Sequence, residues 1–512
     1  MEKKTQGLGV LTNKQLQGMR RGLEKESLRV QPDGRLADTP HPAGLGSALT
    51  HPHITTDFSE SQLELITGVH GRVQDCMDEL RHIQQFAFES MGSDVLWVSS
   101  MPGKLPPDEA IPLGHYGSSH IGRTKTVYRS GLGYRYGRRM QTISGIHYNW
   151  SMPGLDSGDY FALIRNFRRQ AFVLLYLFGA SPAVGSAFVE GRSHALERLS
   201  PDTHYLPWAT SLRMGRLGYQ SDAQSALAVS YNGLTGYATS LHHALTQPYA
   251  PYQAIGVQGP DGEYRQLATS LLQIENEFYG TIRPKRVIQS GERPLHALRA
   301  RGVEYVEVRL MDLNPFLDVG IDAATLRFLD VFLLHCLQQP SPLDSPDEIA
   351  ALVRNQQRVA EQGRKPGLRL ERAGSEVVLV DWAKDIVRAL QPVAAQLDAV
   401  HASQDYSQTV AQALEAIDNP ETLPSARVLQ AIHHRFHGSF NAFVLAQSQG
   451  TRAAALATPV DADQRAHLQQ LSLRSLQDQA QIEAADTGTF GAFLADYLSP
   501  ARLLPEAAAL PA

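Results

Sequence analysis

The segment GLEKESLRV, residues 22–30, places two carboxylates on one side of a predicted β-strand. Side chains alternate between the faces of a strand, so Glu24 and Glu26 share a face with Leu28 and Val30. Two like charges on a half-covered face repel, and burying either of them is costly unless a positive group lies between them. The segment therefore indicates a site for a cation.

Four further segments alternate in the same way and carry acids, a histidine or an arginine on one face. They are QLELIT (62–67) with Glu64 and the upstream Asp57, GIHYNW (145–150) with His147 and Asn149, LLQIENEFY (271–279) with Glu275, Glu277 and Tyr279, and VEYVEVRLM (303–311) with Tyr305, Glu307 and Arg309. Strands with one apolar and one polar face are typical of an antiparallel sheet covered by helices on one side. The other side is then a functional surface.

Any one of these strands alone is typical of a solvated or salt-bridged surface, and a lone histidine is usually a hydrogen-bonded core residue. Together they supply many carboxylates, one imidazole and almost no thiols, which is the ligand set of magnesium or manganese rather than of structural zinc. Magnesium usually binds through one or two carboxylates and substrate phosphates. So many carboxylates favour two or three ions that hold a nucleoside triphosphate.

A basic segment complements this acidic face. No Asp or Glu occurs between Ala110 and Leu155, and IRPKR (282–286) adds a second basic cluster. The cations of the first segment, interleaved with tyrosines, are Arg123, Lys125, Arg129, Arg135, Arg138 and Arg139. Such clusters are suited to binding phosphates and carboxylates, although a groove for single-stranded nucleic acid has the same combination of basic and aromatic residues. Neither the P-loop nor the dinucleotide fingerprint occurs in the sequence.

Composition narrows the function classes. The chain has 512 residues, a formal net charge of -5 and 43% hydrophobic residues, so it can bury a large core and has no general attraction to nucleic acid or anionic membranes. Its two cysteines, Cys76 and Cys336, exclude a disulfide scaffold and fit a reducing compartment. The first residues lack the apolar core of a signal peptide. These features predict a cytoplasmic protein.

One apolar segment approaches the length of a membrane span. AFVLLYLFGASPAVGSAFV, residues 171–189, contains no charged residue, but Gly179, Pro182 and Gly185 interrupt its second half. We predict a buried helix that ends at Phe178-Gly179, followed by an interior loop and a short strand. No membrane partner is expected.

The chain is predicted to be a single α+β domain, residues 1–512. Residues 1–335 mix helices with strands, and 73–91 has the apolar spacing of a helix. Residues 346–512 are rich in Ala, Gln and Leu and are predicted to be mainly helical, packed on the first part, with Ser425 as an N-cap. The proline-rich residues 338–348 are predicted to form an ordered surface loop.

Several segments carry a family resemblance. RRGLEKESLRV, ALTHPHITTDFSESQLELIT, YGRRMQTISGIHYNW, YLPWATSLRMGRLGY, IENEFYGTIRPKR and VEYVEVRLMDLNPF are similar to the signature blocks of the bacterial glutamate–cysteine ligases, also called γ-glutamylcysteine synthetases. The blocks follow the family's order over roughly residues 18–335. The resemblance implies a glutamine-synthetase-like fold, in which a curved antiparallel β-sheet of about six strands forms a funnel-shaped active site surrounded by helices.

The resemblance also implies roles for individual residues. The metal ligands would be Glu24, Glu26, Asp57, Glu64, His147 and Glu307. Arg309 and Glu307 would act in catalysis, with Arg309 contacting phosphate, and Arg129 and Lys285 would contact a substrate carboxylate or phosphate. The cysteine pocket would contain Tyr128, Leu132, Gln141, Ile143, Arg213, Tyr219 and Tyr279.

The implied reaction is the ATP-dependent ligation of the γ-carboxylate of L-glutamate to the amine of L-cysteine through γ-glutamyl phosphate. Its cofactor would be two or three Mg²⁺ ions, with Mn²⁺ as a substitute, and glutathione would be a candidate feedback ligand. Two alternatives stay open. One is another ATP- and magnesium-dependent carboxylate–amine ligase or a guanidino kinase on the same sheet. The other is a nucleic-acid-binding protein that uses residues 123–139.

Overall fold

An antiparallel sheet of seven strands organises the first two thirds of the chain. The structure, a computed structural model, describes residues 5–218, 223, 229–289 and 291–504. The strands are β1 (Arg20–Val30), β2 (Ile54–Thr56), β3 (Gln62–Ile66), β4 (Val95–Leu96), β5 (Ile146–Ser151), β6 (Ala183–Gly185), β7 (Glu197–Ser200), β8 (Thr203–Tyr205), β9 (Ile282–Lys285), β10 (Tyr305–Met311), β11 (Arg369–Arg372) and β12 (Ser375–Val378). The main sheet runs β2-β3-β1-β5-β10-β9, and β4 pairs with the end of β1.

The α-helices are more numerous towards the C-terminus. They are α1 (Asn13–Gln17), α2 (Val73–Ser90), α3 (His120–Tyr136), α4 (Ser157–Gln170), α5 (Phe172–Phe178), α6 (Ser186–Val189), α7 (Leu234–Thr246), α8 (Ala250–Ile255), α9 (Pro294–Arg301), α10 (Ala323–Gln338), α11 (Pro346–Gln362), α12 (Leu379–His401), α13 (Asp405–Asp418), α14 (Pro424–Arg435), α15 (Phe440–Ala457), α16 (Ala462–Ala485) and α17 (Phe490–Tyr497). The predicted α+β class, the antiparallel sheet and the mainly helical C-terminal third are confirmed.

The register of the main sheet brings the predicted polar positions together. Glu26 of β1 lies opposite Glu64 of β3, and Glu24 lies opposite His147 of β5. On the next pair, Glu307 of β10 lies opposite Asn149. Directly opposite residues on antiparallel strands point to the same face. Four strands therefore contribute polar side chains to one surface.

The opposite face of the sheet forms the core. Leu63, Tyr148, Val306 and Val308 are fully buried there, and α2 packs on β1. Lys25 also points to this face, where it is 2% exposed and donates a hydrogen bond from Nζ to Oε1 of Gln84, at 2.7 Å. The alternation predicted for β1 is thus correct, with a lysine among the core-facing residues.

The apolar segment 171–189 folds as predicted. Helix α5 ends at Phe178, and the residue that follows is Gly179, whose backbone packs closely against the carbonyl of Leu175. A buried loop and the short strand β6 come next. Within the described residues, the structure contains no helix that combines the length and apolar character needed to cross a membrane.

The connection between the two parts of the chain is ordered, as predicted. Helix α10 ends at Gln338 and α11 begins at Pro346. Between them, Ser341 is buried and accepts a hydrogen bond from Nε of Arg165. Helix α10 packs against both α4 and α13. The assignment of residues 1–512 to one domain stays a prediction.

Two local predictions are wrong. Residues 271–279 form a loop and a 3₁₀ turn, Glu275–Glu277, rather than a strand. A 3₁₀ turn points residues two apart in different directions, so Glu275 reaches Arg293 while Glu277 reaches Arg135. Ser425 is not an N-cap: α14 begins at Pro424, because proline suits the first helical position, and Ser425 lies buried in the first turn.

Candidate active site

Carboxylates from three strands, β1, β3 and β10, gather around His147 of β5. Glu24, His147 and Glu307 form one group whose ligand atoms lie within 4.8 Å of one another, and Glu26, Glu64 and His147 form a second. The two groups share the imidazole. Five of the six predicted metal ligands are therefore in one cluster, and Asp57 lines the same cavity.

Hydrogen bonds inside this cluster fix the positions of its side chains but do not neutralise the charges of its carboxylates. Nδ1 of His147 lies 3.0 Å from Oε2 of Glu24, whose other oxygen accepts a hydrogen bond from Asn149 at 2.8 Å. Oε2 of Glu26 accepts a hydrogen bond from the backbone N–H of Gly145, at 2.7 Å. Nε2 of His147 is buried 3.5 Å from Oε1 of Glu26 and makes no hydrogen bond with the described residues. An orphaned imidazole nitrogen among carboxylates fits a metal site.

Two carboxyls of the acidic cluster, those of Glu26 and Glu64, are destabilised in their ionised form. Burial and the neighbouring Asp57 raise the pKa of Glu26 to about 8. Burial and Glu24 raise the pKa of Glu64 well above its usual range. Such shifts indicate that the ionised carboxylates need an additional positive group. Oxygen ligands with one imidazole suit hard divalent cations, so the donor set fits magnesium or manganese.

Glu307 lies at the boundary between this acidic cluster and a basic one. Its carboxylate is 3.1 Å from Nζ of Lys285, 3.1 Å from Arg309 and 3.9 Å from Arg283. Although burial opposes ionisation, Lys285 and Arg309 hold the pKa of Glu307 well below its usual range. Sequence reasoning did not single out Arg283. Its position two residues before Lys285, hence on the same face of β9, was the available signal.

Acidic and basic clusters face one cavity of about 560 Å³. Its wall includes Glu24, Glu64, His147, Lys285 and Arg309. A cavity of this size is in the range of small-molecule and cofactor sites. It brings together a metal-binding donor set and five cationic side chains, which are Lys125, Arg129, Arg283, Lys285 and Arg309.

The residues predicted to bind cysteine occupy two layers. Tyr128, Leu132, Gln141 and Tyr279 line the cavity, and Nε2 of Gln141 donates to the hydroxyl of Tyr279 at 3.0 Å. Ile143 is buried behind them in the same apolar cluster as Leu132. The remaining two positions of this prediction, Arg213 and Tyr219, are placed differently.

Arg213 lies beneath the cavity wall rather than in it. Its side chain is 1% exposed and donates a hydrogen bond from Nη2 to the backbone oxygen of Arg309, at 2.7 Å. It also packs against the backbone of Gly145, where a Cβ atom would collide with the guanidinium. Tyr219 lies outside the described residues. In the structure, Arg213 thus supports the strand that carries Glu307 and Arg309.

Much of the basic segment 123–139 stabilises the fold. Arg135 is buried, pairs with Glu277 at 2.8 Å and stacks 4.0 Å from the centre of the Tyr252 ring. Arg138 donates to two backbone carbonyls, those of Glu109 and Ile111. A groove for single-stranded nucleic acid needs such cations on its surface, so these contacts do not support the nucleic-acid alternative.

Comparison with known proteins identifies the family. The sequence profile described as glutamate-cysteine ligase matches residues 10–155 and 154–359. The glutamate–cysteine ligase of Azotobacter vinelandii is 47% identical over 497 residues, which cover 93% of each chain. That of Saccharophagus degradans is 46% identical over 502 residues and 94% of each chain.

Solved structures agree with the sequence comparison. The crystal structure of glutamate–cysteine ligase from Francisella tularensis in complex with AMP matches with a TM-score of 0.89 at 35% identity, over 94% of this chain and 97% of that one. A bifunctional glutathione synthetase from Pasteurella multocida matches with a TM-score of 0.68 at 26% identity, over 86% of this chain and 53% of that one. This chain therefore belongs to the glutamate–cysteine ligase family.

Proposed function

We propose that this protein joins the γ-carboxylate of L-glutamate to the amine of L-cysteine at the expense of ATP, with the cavity described above as the active site. The products are γ-glutamylcysteine, ADP and phosphate, and the reaction is the first step of glutathione biosynthesis. One observation carries the assignment of the site: the acidic cluster around His147 and the cations Lys285 and Arg309 meet at Glu307.

The acidic cluster is the proposed metal site. Its ligands are Glu24, Glu26, Asp57, Glu64, His147 and Glu307. Two or three Mg²⁺ ions, or Mn²⁺ in their place, suit so many carboxylates. When bound, these ions offset the charge of the triphosphate and polarise the phosphoryl group that is transferred. The orphaned Nε2 of His147 supports this proposal, because a buried imidazole nitrogen needs a partner.

The first chemical step activates glutamate. A carboxylate does not condense with an amine in water because its leaving group is poor, so the γ-carboxylate attacks the γ-phosphorus of ATP and forms γ-glutamyl phosphate and ADP. Both reactants are anions, and positive groups must offset their repulsion. Lys285 and Arg309 supply positive charge beside Glu307, and Arg283 lies 3.9 Å from the same carboxylate.

The second step forms the amide bond. The amine of cysteine attacks the acyl carbon, phosphate leaves with the electrons of the broken C–O bond, and the ammonium product loses its proton. Tyr128, Leu132, Gln141 and Tyr279 are the proposed cysteine pocket at the cavity wall, with Ile143 packed behind it. The thiol takes no part in the chemistry, so the pocket only has to accommodate it.

Two further expectations follow from this activity. Glutathione contains the γ-glutamylcysteine unit of the product, and we propose that it competes with glutamate and cysteine for this cavity. We also propose that the protein works in the cytoplasm, since both of its cysteines are buried as free thiols and fit a reducing compartment.

A coupled assay of ADP release tests the function. ADP should form when glutamate, cysteine, ATP and Mg²⁺ are all present, and its release should fall to background when cysteine or Mg²⁺ is left out. Faster turnover with ammonia or with a guanidino compound than with cysteine would instead assign a different ligase or a kinase. Tight binding of an oligonucleotide that weakens steeply with salt would favour the nucleic-acid alternative.

A further inference from the structure

Helix α3 presents a lysine to the active-site cavity that none of the roles above uses. Lys125 lines the cavity together with Thr124 and Tyr128 of the same helix. Its ammonium group lies 5.1 Å from the centre of the Tyr116 ring. Among residues 5–218, 223, 229–289 and 291–504, none forms a hydrogen bond or ion pair with this ammonium group. A partly buried cation in a cavity wall without such a partner is positioned to receive an anion.

Arg129, one turn further along α3, is committed to the protein backbone. Its Nε donates to the carbonyl of Asp57, Nη2 to that of Thr56, and Nη1 to that of Lys125 at 3.0 Å. Its guanidinium also stacks on the Tyr116 ring, 4.4 Å from the centre. Arg129 therefore ties the end of β2 to α3. At this end of the cavity Lys125 is the better candidate for direct contact with a ligand.

The surroundings of Lys125 increase its need for a negative partner. Burial lowers its pKa to about 8, and the nearby positive charge of Arg129 acts in the same direction. Glu64 acts in the opposite direction and raises it. A bound carboxylate at the ammonium group would offset the effect of burial and stabilise the charged form.

Lys125 is on the side of the cavity that contains the proposed cysteine pocket, and the proposed phosphate contacts are on the other side. Through Arg129, its helix is joined to β2, which is one edge of the main sheet. Lys285 and Arg283, the proposed phosphate contacts, lie on β9 at the other edge. Tyr128 of the proposed cysteine pocket follows Lys125 by one helical turn. Lys125 is thus on the same helix as Tyr128 of the proposed cysteine pocket, whereas the proposed phosphate contacts are on the strand at the other edge of the sheet.

We propose that Nζ of Lys125 binds the α-carboxylate of an amino-acid substrate in this cavity. The proposal rests on the ligase function above. Glutamate and cysteine each carry an α-carboxylate that has to be held and does not react, and an ammonium group is a suitable point-charge partner for it. The contact would make Lys125 a specificity-determining residue for α-amino acids over the corresponding amines.

Analogues that lack the carboxylate test this contact directly. Cysteamine is cysteine without its α-carboxylate, and 4-aminobutyrate is glutamate without its α-carboxylate. In Lys125→Met, kcat/KM should fall by roughly 10- to 100-fold for the substrate whose carboxylate is held, because a hydrogen bond to a charged group is lost. The corresponding analogue should lose about threefold at most, since it never made that contact. The substrate that shows this difference is the one bound.

Controls separate the contact from charge and folding effects. Arg123→Met removes a positive charge from the same helix, at an exposed side chain that stacks on Phe490 outside the cavity, and it should retain wild-type kinetics. Lys125→Arg should recover part of the activity, and the KM for ATP should be nearly unchanged in all variants. Where an analogue is turned over too slowly, its inhibition constant gives the same comparison.

Two results would overturn the proposal. One is an equal loss for each substrate and its decarboxylated analogue, and the other is a change confined to the KM for ATP. Calorimetric binding of glutamate and cysteine to wild type and Lys125→Met reports on the contact even if turnover fails. An inactive wild type that binds amino acids through Lys125 would refute the ligase function and leave the contact intact.

Discussion

Nδ1 of His147 lies 3.0 Å from Oε2 of Glu24, across the β1–β5 strand pair. The other ring nitrogen, Nε2, lies 3.5 Å from Oε1 of Glu26 on the same neighbouring strand. One imidazole is thereby shared between both groups of metal-binding side chains. Glu24 and Glu26 point to the same face of β1, so a single residue on β5 can reach both.

This sharing predicts a joint loss of metal binding. His147→Asn should weaken binding of Mn²⁺ at every site of the cluster, by roughly ten- to a hundredfold. The measurement is a titration of Mn²⁺ followed by electron paramagnetic resonance in the absence of ATP. If His147→Asn bound Mn²⁺ like the wild type, the imidazole would not be a ligand.

Removing a single carboxylate should abolish most turnover while preserving the fold. Glu26→Gln and Glu307→Gln keep the shape of the side chain but lose its charge, and we expect kcat to fall roughly a hundredfold or more at saturating Mg²⁺. Steady-state kinetics and thermal unfolding are measured on the same samples. Glu304→Gln, on the exposed segment before β10, is the matched control. Near-normal turnover of either variant would remove that residue from the metal site.

The cysteine pocket predicts how the enzyme treats a substrate without sulfur. L-2-aminobutyrate replaces the thiol with a methyl group and keeps the amine and the carboxylate. It should be ligated at a similar maximal rate but with a higher KM than cysteine. The higher KM should correspond to a loss of about 1 to 3 kcal/mol or less in binding free energy. Serine should be poorer, because its hydroxyl must lose bound water. An inert aminobutyrate would give the sulfur a chemical role and contradict the mechanism.

A variant of the same pocket provides the second arm of this test. The hydroxyl of Tyr279 accepts a hydrogen bond from Gln141 at the cavity wall. Tyr279→Phe should raise the KM for cysteine severalfold and leave those for glutamate and ATP nearly unchanged, since only one pocket is altered. Equal changes in all three values would show that Tyr279 acts through the fold rather than through cysteine.

Local alternation was sufficient to predict the acidic face. Glu24, Glu64, His147 and Glu307 each lie on a strand whose apolar residues alternate with polar ones, so their common face follows from the chain alone. The basic side was harder to predict. The backbone carbonyls that bind Arg129 and the ion pair between Arg135 and Glu277 join segments far apart in the sequence.

The error at residues 271–279 has the same origin. An alternating run of polar and apolar residues fits a strand, but Glu277 is held by Arg135 and Tyr136 of α3. These contacts are tertiary, and they override the local pattern. A sequence pattern gives the faces of an element and not the partners that decide whether the element forms.

Acid should destabilise the protein through buried histidines, and His335 of α10 is the clearest case. It is 5% exposed, and burial lowers its pKa to about 4. In the unfolded chain this histidine binds a proton below about pH 6.5, whereas in the folded chain it stays neutral down to about pH 4. The free energy of unfolding therefore falls as pH decreases from about 6.5 towards 4. Between pH 6.5 and pH 5 this histidine should remove on the order of 2 kcal/mol.

Urea unfolding at several pH values measures this effect. His335→Leu removes the titrating group from its buried position, so the loss of stability between pH 6.5 and pH 5 should shrink by that amount, whatever its effect at neutral pH. His467→Leu, at an exposed position of α16, should leave the pH dependence close to that of the wild type. His41 and His51, whose pKa values burial also lowers to about 4, would account for acid lability that remains in His335→Leu. An unchanged slope in that variant would show that burial of His335 does not oppose its protonation.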